Sequence, residues 1–147
     1  MDLRAQIIEA FADAPQPVAG NVSVPTYDDE DTAAYFTGKT WQGHSVQTLR
    51  WHETSLCFFT SAAFRYYLPA FMLAHIEDSK TADVIAEGIL FNLTKGFRRA
   101  ELLRELSNRE KEAVALFFED CAHRCGGYPF DELFGNAAEY VRPAKAG

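Results

Sequence analysis

The chain is poor in the features that mark several protein classes. It has three cysteines, Cys57, Cys121 and Cys125. An odd, small number does not make a disulfide framework and points to reduced thiols in a cytoplasmic setting. No stretch approaches the ~20 apolar residues of a membrane span. The richest run, Phe64 to Ile76, holds Arg65, Pro69 and His75. A secretory leader is not expected either, since Asp2, Arg4 and Gln6 interrupt the opening segment. Bases are scarce, with Lys+Arg 14 against Asp+Glu 21 and a net charge of −7. Nucleic-acid binding needs a basic footprint that such a chain lacks. There is no glycine-rich phosphate loop, no cofactor fingerprint and no spaced acidic calcium loop.

What is present is apolar and aromatic. Of 147 residues, 48 % are hydrophobic, and there are 12 Phe, 6 Tyr and 2 Trp. A chain of this size buries roughly 68–70 % of its unfolded surface, and each ring contributes about 150–250 Å². That suffices for one domain without staples. The ring count exceeds what so small a core needs, so some rings are expected in a groove or at a partner surface.

The periodicity is helical and predicts an all-α fold, a single compact domain of about six to eight helices over residues 1–147. Leu3, Ile7, Ile8 and Phe11 share one face behind Asp2 as N-cap. Residues 14–27 hold three prolines and Gly20 and read as an ordered loop, with Val22, Val24 and Tyr27 suited to an extended piece. Asp28 would cap a short helix that Gly38 ends. Ser45 or His44 opens another, with Val46, Leu49 and Trp51 on or near one side, and Leu56, Phe58 and Phe59 are expected to be buried. Thr60 or Ser61 caps the strongest helix, where Pro69 removes a backbone donor and predicts a kink or a break. Ser79 is the expected cap of a helix carrying Val84, Ile85, Ile89 and Phe91. Ser107 and Glu110 form an S-x-x-E capping box, Gly126-Gly127 ends that helix, and Asp131 is the expected cap of a last helix through Tyr140. Residues 143–147 are expected to fray.

One set of motifs carries a resemblance. Tyr27-Asp28-Asp29-Glu30, then Tyr35-Phe36-Thr37-Gly38-Lys39-Thr40-Trp41, then Phe58-Phe59-Thr60, and Ala63 through Met72 with the string Phe-Arg-Tyr-Tyr-Leu-Pro, make the chain resemble a bacterial family known only as a domain of unknown function. The resemblance implies a single small domain and supplies no catalytic residues.

Four groups are candidates for chemistry. The quartet Asp28, Asp29, Glu30 and Asp31 suits a basic partner or a cation, and equally a helix first turn, where carboxylates complement the dipole. Trp41, His44, Arg50 and His52 with Arg65 and Tyr66 would line one cleft if their segments pack together, His serving as acid or base and Arg as an anion anchor. The structural alternative pairs Arg65 with an acid of the quartet and sets Tyr66 and Tyr67 on backbone freed at Pro69, where the Arg65 carbonyl would be open to a tertiary bond. Cys121, His123 and Cys125 cannot close a tetrahedral metal site from one regular helix. Residues 95–111 carry six bases against three acids, and the interleaved glutamates suit a solvated helix face.

No catalytic triad and no metal-ligand spacing is recognisable. The leading expectation is therefore a non-enzymatic partner-binding protein, of the kind an immunity or antitoxin-like protein would be, that occludes a basic toxin through acidic steering and aromatic anchors. The alternative is a small enzyme or ligand-binding protein with its site near Trp41–His52 and Arg65–Tyr67.

Overall fold

The computed structural model describes residues 2–25 and 29–144, with only the backbone of Asp29 and Glu30. Tyr27, Asp28 and the tail 145–147 lie outside the described residues. The all-α expectation holds, with more helices than expected. Ten are present among the described residues: α1 (Leu3–Ala10), α2 (Asp29–Phe36), α3 (Val46–Trp51), α4 (Ser55–Phe58), α5 (Ser61–Glu77), α6 (Ser79–Ala82), α7 (Ile85–Thr94), α8 (Arg99–Glu105), α9 (Asn108–Arg124) and α10 (Phe130–Val141).

The surplus comes from short helices. α4 and α8 carry no side-chain N-cap that would mark them in sequence. The expected helix after Ser79 is two helices, because Asp83 takes φ 54° and breaks it. Its cap is Asp78, whose carboxylate accepts from the Thr81 backbone and hydroxyl, not Ser79. Asp131 likewise sits inside the first turn of α10, behind Pro129. Elsewhere the caps are as expected. Asp2 accepts from Ala5 N, Ser45 from Thr48 N and Thr60 from Ala63 N, and the Ser107–Glu110 box is closed in both directions.

α5 is the central helix. From Ala63 to Ala74 it is buried on nearly every side, Arg65 being the exception, as a helix surrounded by others must be. It packs against α1, α3, α6, α7 and α8, while α9 carries α1 on one flank and α10 on another. Pro69 lies within α5, which continues unbroken through it to Glu77. No hydrogen bond from outside α5 reaches the Arg65 carbonyl among the described residues, so the tertiary bond expected there does not form.

Residues 14–25 form no helix, as expected. Val22 is buried, and the segment pairs with the end of α4: Val24 N donates to Phe58 O at 2.7 Å and Thr60 N to Val22 O at 3.0 Å. This Ser23–Phe59 bridge is the only β-pairing among the described residues. Behind it sits the aromatic centre of the core. Phe59 and Tyr67 stack at 5.3 Å, and Phe36 stands 4.8 Å from Tyr67 and 5.0 Å from Phe59. All three rings are fully buried, each contributing about 1.5–3 kcal/mol by leaving water.

Not every expected core ring is inside. Leu56 and Phe59 are buried while Phe58 is half-buried, and Trp51 is 81 % exposed although Val46 and Leu49 of its helix are in the core. Trp51 is the last residue of α3, where the chain turns away. Phe97 (94 %) and Tyr128 (81 %) are also at the surface.

Candidate functional site

The α2–α3 region gathers three polar residues, Lys39, His44 and His52, around the side chain of a fourth, Tyr35. Tyr35, on the last turn of α2, bonds His44 Nδ1 through its hydroxyl at 2.6 Å and stacks on His52 at 4.2 Å between centroids. Lys39 bonds back to the Tyr35 carbonyl and holds its ammonium 4.2 Å over the same ring, a cation–π contact. His44 Nε2 lies 2.8 Å from Thr40 O. A carbonyl only accepts, so Nε2 carries a proton, and with that tautomer Nδ1 accepts from the Tyr35 hydroxyl. Both His44 nitrogens are thereby engaged. Burial raises the Tyr35 phenol above its ordinary range and lowers the His52 imidazole, with Asp31 pulling His52 back up and Lys39 and His44 pushing it down.

The tyrosines of α5 hold the following loop. Trp41 N donates to the Tyr66 hydroxyl oxygen at 3.4 Å, and the Tyr67 hydroxyl lies 2.7 Å from both Phe36 O and Lys39 O. These carbonyls stand where α2 ends and Gly38 turns at φ 79°, and each accepts a second bond, Phe36 O from Lys39 N and Lys39 O from Gln16 Nε2. The tyrosines therefore serve the α2 C-terminus rather than backbone at Pro69. Burial, then the Tyr66 charge, pushes the Tyr67 phenol up to about 12.

Arg65 and Arg50 do not join this group. Arg65 Nε reaches both carboxylate oxygens of Glu110 on α9, at 2.9 and 3.0 Å, not the quartet. Arg50 pairs with Asp83 at 3.2 Å. Of the quartet, Asp28 and the side chains of Asp29 and Glu30 lie outside the described residues, and Asp31 is exposed. The expected cleft of six residues is thus three places: a His44–His52 cluster on Tyr35, an Arg65–Glu110 tie, and an Arg50–Asp83 corner.

Trp41 and His44 do line a cleft, though with other neighbours. Together with Arg4 and Ile8 of α1 and Leu73 and Glu77 of α5 they surround a space of about 240 Å³. Arg4 and Glu77 carry no individual sequence signal for this role, since only the packing of α1 on α5 brings them together.

The Arg50–Asp83 corner carries the most exposed ring of the central region. Trp51 follows Arg50 in the chain, 81 % exposed, and Val84 follows Asp83 with 37 % of its surface open. Glu53 is half-buried there, and its carboxyl is raised by burial, lowered by Arg50 and raised again by Glu87 and Asp83. Gly88 makes room for it, since a Cβ at that position would stand 2.3 Å from Glu53 Oε1. Three carboxylates against one guanidinium leave the corner acidic.

The thiols stay apart in role. Cys57 is exposed, Cys125 is half-buried with its thiol toward Ala122 O at 3.3 Å, and Cys121 is buried, its thiol pushed far up by burial. No group of three His, Cys, Asp or Glu is placed to hold a metal ion among the described residues. In the basic run, Arg98 donates to Phe59 O and Glu101, Arg99 to Gly96 O and Arg109 to Glu9, which uses those guanidinia within the fold. No helix among the described residues is long and apolar enough to cross a membrane.

Comparison with curated proteins and with solved structures gives no match. Residues 1–126 match the model of a family described as a family of unknown function (DUF6714), which leaves only α10 and the tail beyond the matched region, and the chain belongs to that family.

Proposed function

We propose that the protein is a non-enzymatic binding domain for a basic protein partner, of the immunity or antitoxin-like kind that occludes a basic toxin. The observation that carries this reading is Trp51, 81 % exposed on a folded helix, next in the chain to Arg50, around which Glu53, Asp83 and Glu87 gather. Tryptophan is the side chain most enriched among residues that dominate binding energy, and a surrounding acidic field steers a basic partner and raises its association rate. The groups that an enzyme would need point the same way. His44 has both nitrogens bonded, Arg65 is held by Glu110, and the α5 tyrosines close a helix end.

The test is capture from the native host, with the tagged chain beside Trp51→Ala and Asp83→Asn/Glu87→Gln, at low and high salt, read by mass spectrometry. The expected result is a basic protein enriched by the native chain, released by salt and lost with Trp51→Ala. A captured set that Trp51→Ala leaves unchanged, or that contains no basic protein, overturns the reading.

A further inference from the structure

The cleft between α1, α5 and the loop after α2 is separate from the Trp51 corner, and its lining has a chemistry of its own. Its volume of about 240 Å³ gives room for a small metabolite. Arg4 on α1 and Glu77 on α5 both line it. Neither makes an ion pair or a side-chain hydrogen bond, with the other or with any of the described residues. Two opposite charges line one opening without pairing, so both are available to a ligand. Trp41 forms part of the wall, half-buried, its indole N–H without a partner among the described residues. The floor is apolar: Leu73 with Ala70 and Ala74, whose small side chains leave the space open.

We infer that this cleft binds a free α-amino acid with an apolar side chain. A carboxylate fits the planar fork of Arg4, which matches it with two parallel hydrogen bonds. An ammonium fits the Glu77 carboxylate, and the side chain lies on the alanine floor against the Trp41 ring. An acid alone would leave Glu77 unanswered and repelled, and an amine alone would do the same to Arg4, so the zwitterion is the species that both charges favour. His44 lines the same cleft with both nitrogens already bonded within the fold, so the site binds its ligand without offering it a free imidazole. This inference does not depend on the partner-binding reading and is tested without any partner.

The chain has two tryptophans, so Trp51→Phe leaves Trp41 as the only indole and its fluorescence as a local probe. The full-length Trp51→Phe protein is titrated with leucine, and in parallel with N-acetyl-leucinamide, isocaproate and isoamylamine. Leucine is expected to shift the Trp41 emission saturably. The three analogues, each lacking one or both charges, are expected to bind at least about tenfold more weakly, the size of a lost charged hydrogen bond. Arg4→Gln and Glu77→Gln are exposed changes that leave the fold intact by circular dichroism and weaken leucine binding by the same factor. Equal binding of the uncharged analogue, indifference to both substitutions, or no emission change up to about 10 mM leucine, a Kd beyond any useful affinity, overturns the inference.

Discussion

Arg65 and Glu110, 45 residues apart, are joined by one nitrogen bonding both carboxylate oxygens at 2.9 and 3.0 Å. Glu110 is 1 % exposed and at the same time accepts from Ser107 N at 2.7 Å, closing the capping box of α9. One buried carboxylate thus starts α9 and ties it to the central helix. Removing one member of a buried pair leaves an uncompensated charge and costs about 3–5 kcal/mol. Arg65 retains some exposure, so Arg65→Met is expected at the lower end, about 3 kcal/mol. Glu110→Gln, which stays neutral and keeps a cap acceptor, is expected to lose about 1–2 kcal/mol. The double variant should recover part of the Arg65→Met loss, because the orphaned charge is gone. Guanidinium denaturation of the four proteins measures this, and strict additivity would show that the two side chains are not coupled.

Tyr67 sets an alkaline limit. Its hydroxyl serves Phe36 O and Lys39 O, and its phenol is pushed up to about 12 by burial and by Tyr66, against an unfolded value near 10. Between those values the unfolded chain has lost the proton that the folded chain keeps. The folded state therefore binds more protons there, and stability falls as pH rises from about 10 toward about 12. Tyr67→Phe is expected to cost about 1 kcal/mol at neutral pH, by removing the hydroxyl's bond while Phe36 O keeps Lys39 N and Lys39 O keeps Gln16 Nε2 as donors, and to flatten the fall above pH 10. Thermal melts of both proteins from pH 7 to 11 test it. A parallel alkaline fall in the variant would assign the effect to other groups, such as the buried Cys121 thiol.

The elements that could be read in advance are those whose ends leave a mark on side chains. Asp2, Ser45, Thr60 and the Ser107–Glu110 box each announce a helix start with an oxygen acceptor at the right offset, and each caps as expected. α4 and α8 have no such cap, and α6 parts from α7 at Asp83 through a backbone angle that aspartate does not advertise. The site was harder for a related reason. Arg65, Tyr66 and His44 were recognisable as polar groups with work to do, but their partners Glu110, Trp41 N and Tyr35 are chosen by tertiary packing. Hydrophobic period places a residue on a face without saying which helix that face will meet, so Arg65 could be assigned to an acid but not to the right one. Arg4 and Glu77 share a cleft only because α1 lies across α5.

His75 is expected to weaken the protein in mild acid. Its Nδ1 is buried without a hydrogen-bond partner among the described residues, and its ring stands edge-on to Phe117 at 5.7 Å. Burial lowers its pKa, Asp120 opposes that and Arg124 adds to it. A base with a depressed folded pKa binds its proton more readily when unfolded, so stability is present above the unfolded value near 6.5 and is lost as pH falls toward the folded value. His52, also lowered by burial, adds to the same trend. His75→Phe should remove its share of the acid dependence and raise stability at neutral pH by about 1 kcal/mol, the order of an unmade buried hydrogen bond. Denaturant midpoints at pH 7 and 5.5 decide it. An acid sensitivity identical to the native chain's would place the effect elsewhere.

Asp83 separates what the fold prefers from what the surface needs. With φ 54° and ψ −106° it is the one non-glycine residue at positive φ among the described residues, in a region that belongs to glycine at the first central position of a type II′ turn. A non-glycine residue there stores about 1–3 kcal/mol. Its compensation is the exposed bond to Arg50 at 3.2 Å, and exposed pairs contribute about 0–1 kcal/mol. Glycine at this position gives up that pair and some unfolded-state restriction while relieving the strain. Asp83→Gly is accordingly expected to raise stability by about 1 kcal/mol, whereas Asp83→Val, β-branched at positive φ, should lower it by about 2 kcal/mol. Chemical denaturation of both variants measures the first half of the claim. The second half is functional: if the acidic rim beside Trp51 receives a basic partner, Asp83→Gly should hold that partner more weakly than the native chain, with the loss shrinking as salt rises. A variant that is more stable and binds less well would explain a strained aspartate paired with Arg50, the residue before the exposed tryptophan, and one that binds equally well at low salt would remove Asp83 from the interface and leave its conformation to the α6–α7 turn alone.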